Sequence, residues 1–243
     1  MAARQVPRSP DARTVELALP FAGRWLARNS PARRIPSHGT DLLGERYAID
    51  FVGVDERGRT AGVRDWRTLV ATEPPERFVG FGRPVLAPAD GTVVTGYDGE
   101  PDHEARRSQL ALVPYALGQA GRLRQGLPAI AGNHVVIALP EDGLFVALVH
   151  LRRGSVLVRA GQAVQAGQQL AACGNSGNST QPHVHLQVMD SADLSVARGV
   201  PMVFRRFREW SRTGTLGVTE RGIPAEGAVV EPLPDPPPST VAR

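Results

Sequence analysis

The sequence contains no lysine, and all 28 of its basic residues are arginine. Any function that attaches a cofactor to a lysine side chain is therefore excluded. Against 24 acidic residues the net charge is only +4, so the pI of about 10.1 mostly reflects the high pKa of arginine. Because the chain shows no dense basic stripe interleaved with aromatic residues, we expect no nucleic-acid partner.

Cysteine and long apolar runs are also scarce. The single Cys173 cannot form an intramolecular disulfide. Residues 1–26 lack the uninterrupted apolar stretch of a signal peptide, and no window approaches the roughly 18 apolar residues of a spanning helix. From the sequence alone we therefore expect no membrane span and a cytoplasmic location. With 42% apolar and 21% charged residues, the 243-residue chain has the composition of a globular protein.

Short runs of Val, Ile and Leu recur between Gly, Pro and Asn turns, and helical periodicity is rare. This pattern predicts an all-β fold. The clearest strand candidates are residues 47–52, 91–96, 134–139, 145–151, 169–173 and 184–189. Residues 202–210 are expected to form an ordered closing segment of undetermined type.

Composition also divides the chain into three parts. Residues 1–36 are interpreted as a lead-in segment and residues 37–212 as the main domain. An insertion at about residues 98–128, polar and then rich in Ala, Leu and Gly, is expected to form a loop or a short helix. The Pro-rich residues 213–243 offer few side chains for a core and are expected to be a disordered tail.

The most informative segment is Gln-Pro-His-Val-His-Leu-Gln-Val at residues 181–188. On a β-strand, residues two apart face the same side, so His183 and His185 are expected to enter one space. Such a pair suits a site with one metal ligand and one group that handles a proton. The bare pair is also common on strands that face solvent, and it needs support from the rest of the chain.

That support comes from a series of blocks in a fixed order. They are residues 83–94 (RPVLAPADGTVV), 132–137 (GNHVVI), 146–151 (VALVHL), 158–170 (VRAGQAVQAGQQL) and 174–179 (GNSGNS), followed by 182–185 (PHVH). Together, over roughly residues 37–189, they resemble the lysostaphin-type (LytM-like) peptidoglycan zinc metalloendopeptidases. The resemblance implies an antiparallel β-sheet groove, one Zn²⁺ ion, and hydrolysis of peptide bonds in the stem or cross-bridge peptides of the bacterial cell wall.

The resemblance also implies roles for five residues. His38, Asp50 and His185 would hold the zinc ion, and His150 and His183 would flank the reaction centre. One histidine of this pair would accept a proton and the other would stabilise the oxyanion, with the two roles not allotted. Three protein ligands would leave one position of tetrahedral zinc open, as in catalytic rather than structural sites.

Asp41 is an alternative to Asp50. The usual motif of the family places the acidic residue four positions after the histidine, whereas Asp41 lies three and Asp50 twelve positions after His38. Asp50 is favoured because it lies in an apolar strand candidate, where a buried carboxylate without a cation would be costly. Asp41 follows a Gly-Thr pair in a loop, where a carboxylate commonly caps a turn.

Four further residues lie close to these blocks in the sequence or within the insertion. His134 and Asn133 are candidates for substrate binding, since His134 occupies a position where relatives often carry an aromatic residue. His103 lies in the polar insertion and is expected to be solvated. Cys173 is expected to be a buried, unreactive thiol.

Three other functions compete with this interpretation. The Val- and Gly-rich residues 156–170 resemble biotinyl and lipoyl carrier domains, but the absence of lysine excludes them. A metal-free relative that only binds cell wall would have lost ligands, and none is missing here. A zinc hydrolase acting on another amide stays open, because a fold does not fix a substrate and peptidoglycan lies outside the cytoplasm.

Overall fold

The computed structural model describes residues 14–108, 127–140, 143–211 and 213–234. The predicted all-β class is confirmed. The strands are β1 Val15–Leu17, β2 Trp25–Arg28, β3 Ile49–Gly53, β4 Pro84–Leu86, β5 Gly91–Tyr97, β6 Asn133–Ala138, β7 Phe145–Leu151, β8 Ala163–Val164, β9 Gln169–Ala172, β10 Val184–Met189, β11 Met202–Trp210, β12 Leu216–Gly222 and β13 Val229–Pro232.

The helical pieces among the described residues are short. These are α1 Trp66–Val70, α2 Leu127–Ala131 and the 3-10 segments Leu42–Tyr47 and Pro75–Arg77. Among the described residues, no helix is long and apolar enough to cross a membrane.

Eleven strands form one sheet, and β4 and β9 form a separate pair. The large sheet has the order β1-β11-β13-β2-β3-β10-β7-β6-β5-β8, and β12 also pairs with β11. Its described pairs are antiparallel apart from β1 and β11, which run parallel. All six strand candidates coincide with strands, and residues 202–210 are β11. Strands β3, β10 and β7 lie side by side at the centre of the sheet, where the candidate residues are found.

Strand β10 shows how the sequence pattern creates two faces. Its Val184, Leu186 and Val188 belong to the main hydrophobic core. Because side chains alternate along a strand, His185 and Gln187 point to the opposite face, together with His183 just before the strand. Burial of the three apolar side chains stabilises this register by about 1.5–3 kcal/mol per side chain. A slip of one residue would bury the histidines in the core instead.

The ends of the chain differ from the sequence-based expectation. Strands β1 and β2 come from the segment interpreted as a lead-in, and β12 and β13 come from the segment expected to be a disordered tail. Strand β13 pairs with both β2 and β11, and its Val230 is fully buried. The described residues 213–234 are therefore folded, because they complete the sheet between the two neighbouring strands.

An aromatic cluster fixes this arrangement. The ring of Phe21 stacks on Trp25 at 4.7 Å between centroids and meets Phe51 edge-on at 4.9 Å. Phe51 in turn contacts the ring of Phe204 at 5.5 Å. These contacts join the N-terminal strands, the centre of the sheet and β11 into one core, with each aromatic pair contributing about 0.5–1.5 kcal/mol beyond its burial.

The expected insertion is only partly visible. Residues 109–126 lie outside the described residues, so a helix within that range stays a prediction. Helix α2 ends the insertion. The first part of the insertion, residues 98–108, runs along the loop before β10.

Candidate active site

The three metal ligands predicted from the sequence come together in the structure. One donor atom from each of His38, Asp50 and His185 lies within 4.8 Å of the others. His185 on β10 is paired directly with Asp50 on β3. His38 reaches the same point from the loop before the 3-10 segment, and its Nε2 lies 3.2 Å from Asp50 Oδ2. Asp41 is instead on the surface, with its side chain 60% exposed and paired with Arg46 at 2.6 Å.

The donor set fits a zinc ion. Two imidazole nitrogens and one carboxylate oxygen are a known ligand set of catalytic zinc sites. The second nitrogen of each imidazole is also held by a partner, which fixes the orientation of the ring as in established metal sites. The hydroxyl of Ser37 donates to Glu45 O at 3.1 Å and accepts from His38 Nδ1 at 3.0 Å, which leaves His38 Nε2 facing Asp50.

His185 is oriented by Gln187. The amide nitrogen of Gln187 donates to Leu43 O at 2.6 Å, so its Oε1 faces His185 Nε2 at 2.9 Å and accepts from it. The other nitrogen of His185, Nδ1, is 2.9 Å from Asp50 Oδ1 and is the atom available to a metal. Gln187 is two residues after His185 on the same strand face, so the strand period could have identified it.

Asp50 favours the protonated form of His185. Burial by itself would lower the pKa of His185, but the hydrogen bond and the charge of Asp50 raise it to about 9. Burial likewise would raise the pKa of Asp50, but His183, His185 and His38 together hold it well below its ordinary value. The imidazolium of His185 thus donates from Nδ1 to Asp50 Oδ1 and from Nε2 to Gln187 Oε1.

We therefore expect zinc binding at pH 7 to release about one proton per chain. A metal needs the lone pair on His185 Nδ1, which is protonated below about pH 9. Burial lowers the pKa values of His150 and His183, so these two residues are neutral and contribute no proton. Calorimetry in buffers of different ionisation enthalpy measures the release, which should disappear above about pH 10. Zinc binding at pH 7 without proton release would contradict this assignment.

His150 and His183 lie together beside the three ligands. Their ring centroids are 4.8 Å apart, and His183 Nε2 is 3.6 Å from Asp50 Oδ1. His150 Nδ1 donates to Ser176 O at 2.9 Å, and His183 Nδ1 donates to Gln181 O at 2.8 Å. Both rings therefore keep an unprotonated Nε2, which is the form that accepts a proton.

A β-bulge turns His150 toward this site. On β7, Val146 and Leu148 face the main core, and simple alternation would send His150 to the same side. The register between β6 and β7 shifts here, however, and His150 has a positive φ of 62°. Such a bulge commonly re-aims a side chain beside an active site. The left-handed conformation costs about 1–3 kcal/mol for a residue other than glycine, which the bonds of the surrounding loop must offset.

These residues line a cavity of about 310 Å³. Its wall combines polar groups with apolar side chains of neighbouring elements: Asn29, Thr40, Leu43, Glu45, Ile130, Ala131, Val149, Asn178, Thr180, Gln187 and Leu194. Asn29 was not identified from the sequence. Its amide donates to Asp50 Oδ2 at 2.7 Å, and no local motif marks it because Asp50 is 21 residues away.

The structure does not bring Asn133 and His134 to this cavity. Asn133 is fully buried, and its amide oxygen accepts from Glu100 N at 2.8 Å. Its amide nitrogen donates to Glu100 O at 2.8 Å and to Leu151 O at 3.0 Å, so its side chain is committed to the fold. His134 is buried too, stacks on Tyr97 and bonds to Gly132 O at 2.8 Å. Neither is placed to bind a substrate in the cavity.

Two other expectations concern residues near the site. His103, expected to be solvated, is half-buried and its Nε2 lies 2.8 Å from Gly177 O. Cys173 is fully buried, as expected, and burial raises the pKa of its thiol.

Comparison with known proteins supports the resemblance predicted from the sequence. Residues 117–196 match the model of Peptidase family M23. The matched range contains His150, His183 and His185, whereas His38 and Asp50 lie before it. The chain is also 33% identical over 117 residues to an uncharacterized metalloprotease of Haemophilus influenzae, which covers 46% of this chain and 18% of that protein.

Two solved structures are similar over longer stretches but at low identity. The catalytic domain of the antimicrobial peptidase lysostaphin from Staphylococcus simulans is 18% identical, covering 73% of this chain and 88% of that one, with a TM-score of 0.37. The catalytic domain of the prophage-encoded M23 protein EnpA from Enterococcus faecalis is 19% identical, covering 63% and 73%, with a TM-score of 0.37.

Proposed function

Given the match to Peptidase family M23, we propose that this chain is a zinc-dependent metalloendopeptidase that hydrolyses peptide bonds in peptidoglycan. The observation that carries the proposal is the convergence of His38, Asp50 and His185 on one point. Two neutral histidines lie next to that point, and a cavity opens onto it. Metal ligands and proton acceptors in one cavity are the components of a metal-assisted hydrolase.

The three ligands would hold the metal, and the metal would supply Lewis acidity at the carbonyl of the scissile bond. The remaining groups belong to the chain. His150 and His183 each present an unprotonated Nε2 to the cavity, because a backbone carbonyl accepts the proton on Nδ1. One of them accepts the proton of the attacking nucleophile near neutral pH, and the protonated form can pass it to the leaving amine. Asn29 holds one oxygen of Asp50 in place.

The cell-wall substrate is supported by an observation outside the site. The ordered sequence blocks resemble the lysostaphin-type peptidoglycan peptidases. The chain spans less than a fifth of the Haemophilus relative, so the activity of that longer protein is not transferred.

The proposal is tested by metal analysis and a hydrolysis assay on the same preparation. We expect about one zinc ion per chain, as a three-ligand open site requires. We expect release of free amines from purified peptidoglycan, loss of that release after chelation, and recovery when zinc is restored. Mass spectrometry of the products identifies the bond that is cleaved.

The control is His185→Ala, which should neither retain zinc nor release amines. The two competing functions give different results. Binding to cell-wall material without hydrolysis, in protein that holds no metal, would favour the silent relative. Bound zinc with hydrolysis of other peptides, but of no peptidoglycan, would favour a hydrolase of a different amide.

A further inference from the structure

Both flanking histidines depend on one buried loop, residues 174–180, which we name the histidine loop. Its Ser176 accepts the Nδ1–H of His150 through the backbone carbonyl, at 2.9 Å. Its Ser179 places its hydroxyl 3.0 Å from Nδ1 of His183, and that hydroxyl also donates to Gln181 O at 2.8 Å. The loop therefore determines which nitrogen of the His150 ring is free and, together with Gln181 O, which nitrogen of the His183 ring is free. Its Asn178 and Thr180 also line the cavity.

A segment from the expected insertion lies along this loop. It comprises residues 100–106 and is named the supporting segment. Its backbone forms three hydrogen bonds with the histidine loop. The backbone N–H of His103 donates to Asn175 O at 3.2 Å, and that of Arg106 donates to Thr180 O at 2.6 Å. The carbonyl of His103 accepts from Asn175 Nδ2 at 2.7 Å. The ring of His103 adds a fourth contact, from Nε2 to Gly177 O at 2.8 Å.

Asp102 connects the supporting segment to both sides of His150. Its Oδ1 accepts from the backbone N–H of Asn175 at 2.6 Å, in the histidine loop. Its Oδ2 accepts from the backbone N–H of Arg153 at 3.0 Å, just after β7, the strand that carries His150. Hydrogen bonds from backbone N–H groups to a carboxylate are charge-assisted and stronger than those between neutral groups. One carboxylate thus joins the loop that orients His150 to the strand that bears it.

Asn133 also joins the start of the supporting segment to the histidine loop. Its side chain bonds to both backbone groups of Glu100, at the start of the supporting segment. Its backbone N–H donates to Ser176 Oγ at 3.0 Å, in the histidine loop. The residue that the sequence suggested for substrate binding therefore anchors the supporting segment against the loop.

From these contacts we propose that the supporting segment is a positioning element for His150 and His183, and that Asp102 and His103 are its positioning residues. The proposal rests on the proposed function, since it assigns these residues a role in the same hydrolysis. Neither residue contacts the metal ligands or the substrate cavity. They act through the histidine loop. Its Ser176 carbonyl holds the ring of His150 and its Ser179 hydroxyl contacts Nδ1 of His183, in the orientation that leaves Nε2 free for proton transfer. The left-handed backbone at His150 makes this support necessary, because the conformation is unfavourable on its own.

The chain offers a matched control for Asp102. Asp98 accepts from the backbone N–H groups of Gly154 at 2.7 Å and of Val156 at 3.1 Å. It therefore makes the same kind of bonds, from the same part of the chain, to the turn at residues 154–156 instead of to the histidine loop. Substitution of either aspartate removes two such bonds, so any general loss of stability should be comparable.

The experiment compares Asp102→Ala with Asp98→Ala in zinc-loaded protein. For Asp102→Ala we expect kcat on peptidoglycan fragments to fall by about 10- to 100-fold, the usual effect of losing a partner that orients an active-site group. KM and zinc content should stay close to those of the wild type. Asp98→Ala should keep the kcat of the wild type. Asp102→Asn should recover part of the lost activity, since it retains one acceptor oxygen.

A second measurement does not depend on catalysis. Nitrogen-15 NMR of the imidazole rings reports which nitrogen carries the proton, and we expect the Nδ1–H form of His150 in the wild type and in Asp98→Ala. In Asp102→Ala the signal should shift toward a mixture of forms. If the wild type were inactive on peptidoglycan, the proposed function would fail while this measurement still tested the positioning.

Equal losses of kcat in Asp98→Ala and Asp102→Ala, or an unchanged kcat and ring state in Asp102→Ala, would overturn the proposal. If Asp102→Ala does not fold, His103→Gln and His103→Ala are the second pair. The first can still donate to Gly177 O and should keep activity, whereas the second cannot and should lose it. Equal activity of these two variants would exclude a positioning role for His103.

Discussion

Asp50→Ala should abolish zinc retention and hydrolysis together, whereas Asp41→Ala should leave both close to the wild type. Asp50 lies between His38 and His185 in the structure, and its loss leaves only two ligands, which hold zinc too weakly to survive dialysis. Asp41 forms a surface pair with Arg46, and exposed pairs of this kind contribute at most about 1 kcal/mol. Elemental analysis after dialysis, with the peptidoglycan assay on the same samples, provides the measurement.

The pair of variants distinguishes the two acidic residues that the sequence left open. Loss of zinc from Asp41→Ala but not from Asp50→Ala would move the ligand into the loop and would mean that the described arrangement is not the metal-bound one. Retention of zinc by both variants would show that another residue completes the site. Asp50→Asn is a useful third variant, since it keeps the volume and removes the charge.

Replacing His150 or His183 should lower turnover by about 10²- to 10⁴-fold while zinc is retained, the usual contribution of general acid or base assistance. For His150 the suitable replacement is asparagine, because asparagine tolerates the left-handed backbone found at that position. For His183, alanine suffices. Both variants keep His38, Asp50 and His185 intact. Initial rates on purified peptidoglycan, with zinc quantified in each sample, measure the effect.

The double variant adds a stricter test. When two groups act on one transition state, removing the first already loses most of their joint effect on the rate. The fold-loss of turnover in the double variant should therefore be much smaller than the product of the two single fold-losses. Full activity in either single variant would remove that histidine from the mechanism. A loss of zinc in His183→Ala would instead indicate that His183, 3.6 Å from Asp50, belongs among the ligands.

Local patterns explain why much of the fold was accessible from the sequence. Strands β7 and β10 have the predicted bounds, because runs of Val, Ile and Leu between turn residues specify a strand through its immediate neighbours. The pairing of His183 and His185 on one face follows from the two-residue period alone. Asp50 could be favoured over Asp41 because an apolar run around a carboxylate predicts burial.

Distant partners explain what was missed. Residues 213–234 are poor in apolar residues, yet β13 is ordered because β2 and β11 lie on either side of it, and composition does not reveal such partners. Asn133 was assigned to substrate binding for the same reason, because its partner is distant in the sequence. An Asn-His pair at the start of a strand does not indicate that the Asn133 side chain accepts a hydrogen bond from the backbone of Glu100, 33 residues away in the chain.

The sequence by itself determined that this is an all-β protein, because strand formation and alternation are local properties of the chain. Its resemblance to the lysostaphin-type peptidases indicated which five residues to examine for metal binding and proton transfer. The tertiary structure alone decided how those residues meet. It aligned β3 with β10 so that Asp50 faces His185, and it turned His150 out of the core through a bulge in β7. It also placed Asp102 where one carboxylate joins the histidine loop to the strand bearing His150. The hydrogen-bonded residues among these contacts lie 51 to 135 positions apart in the chain, and such long-range pairing depends on the packing of the whole sheet rather than on any local pattern.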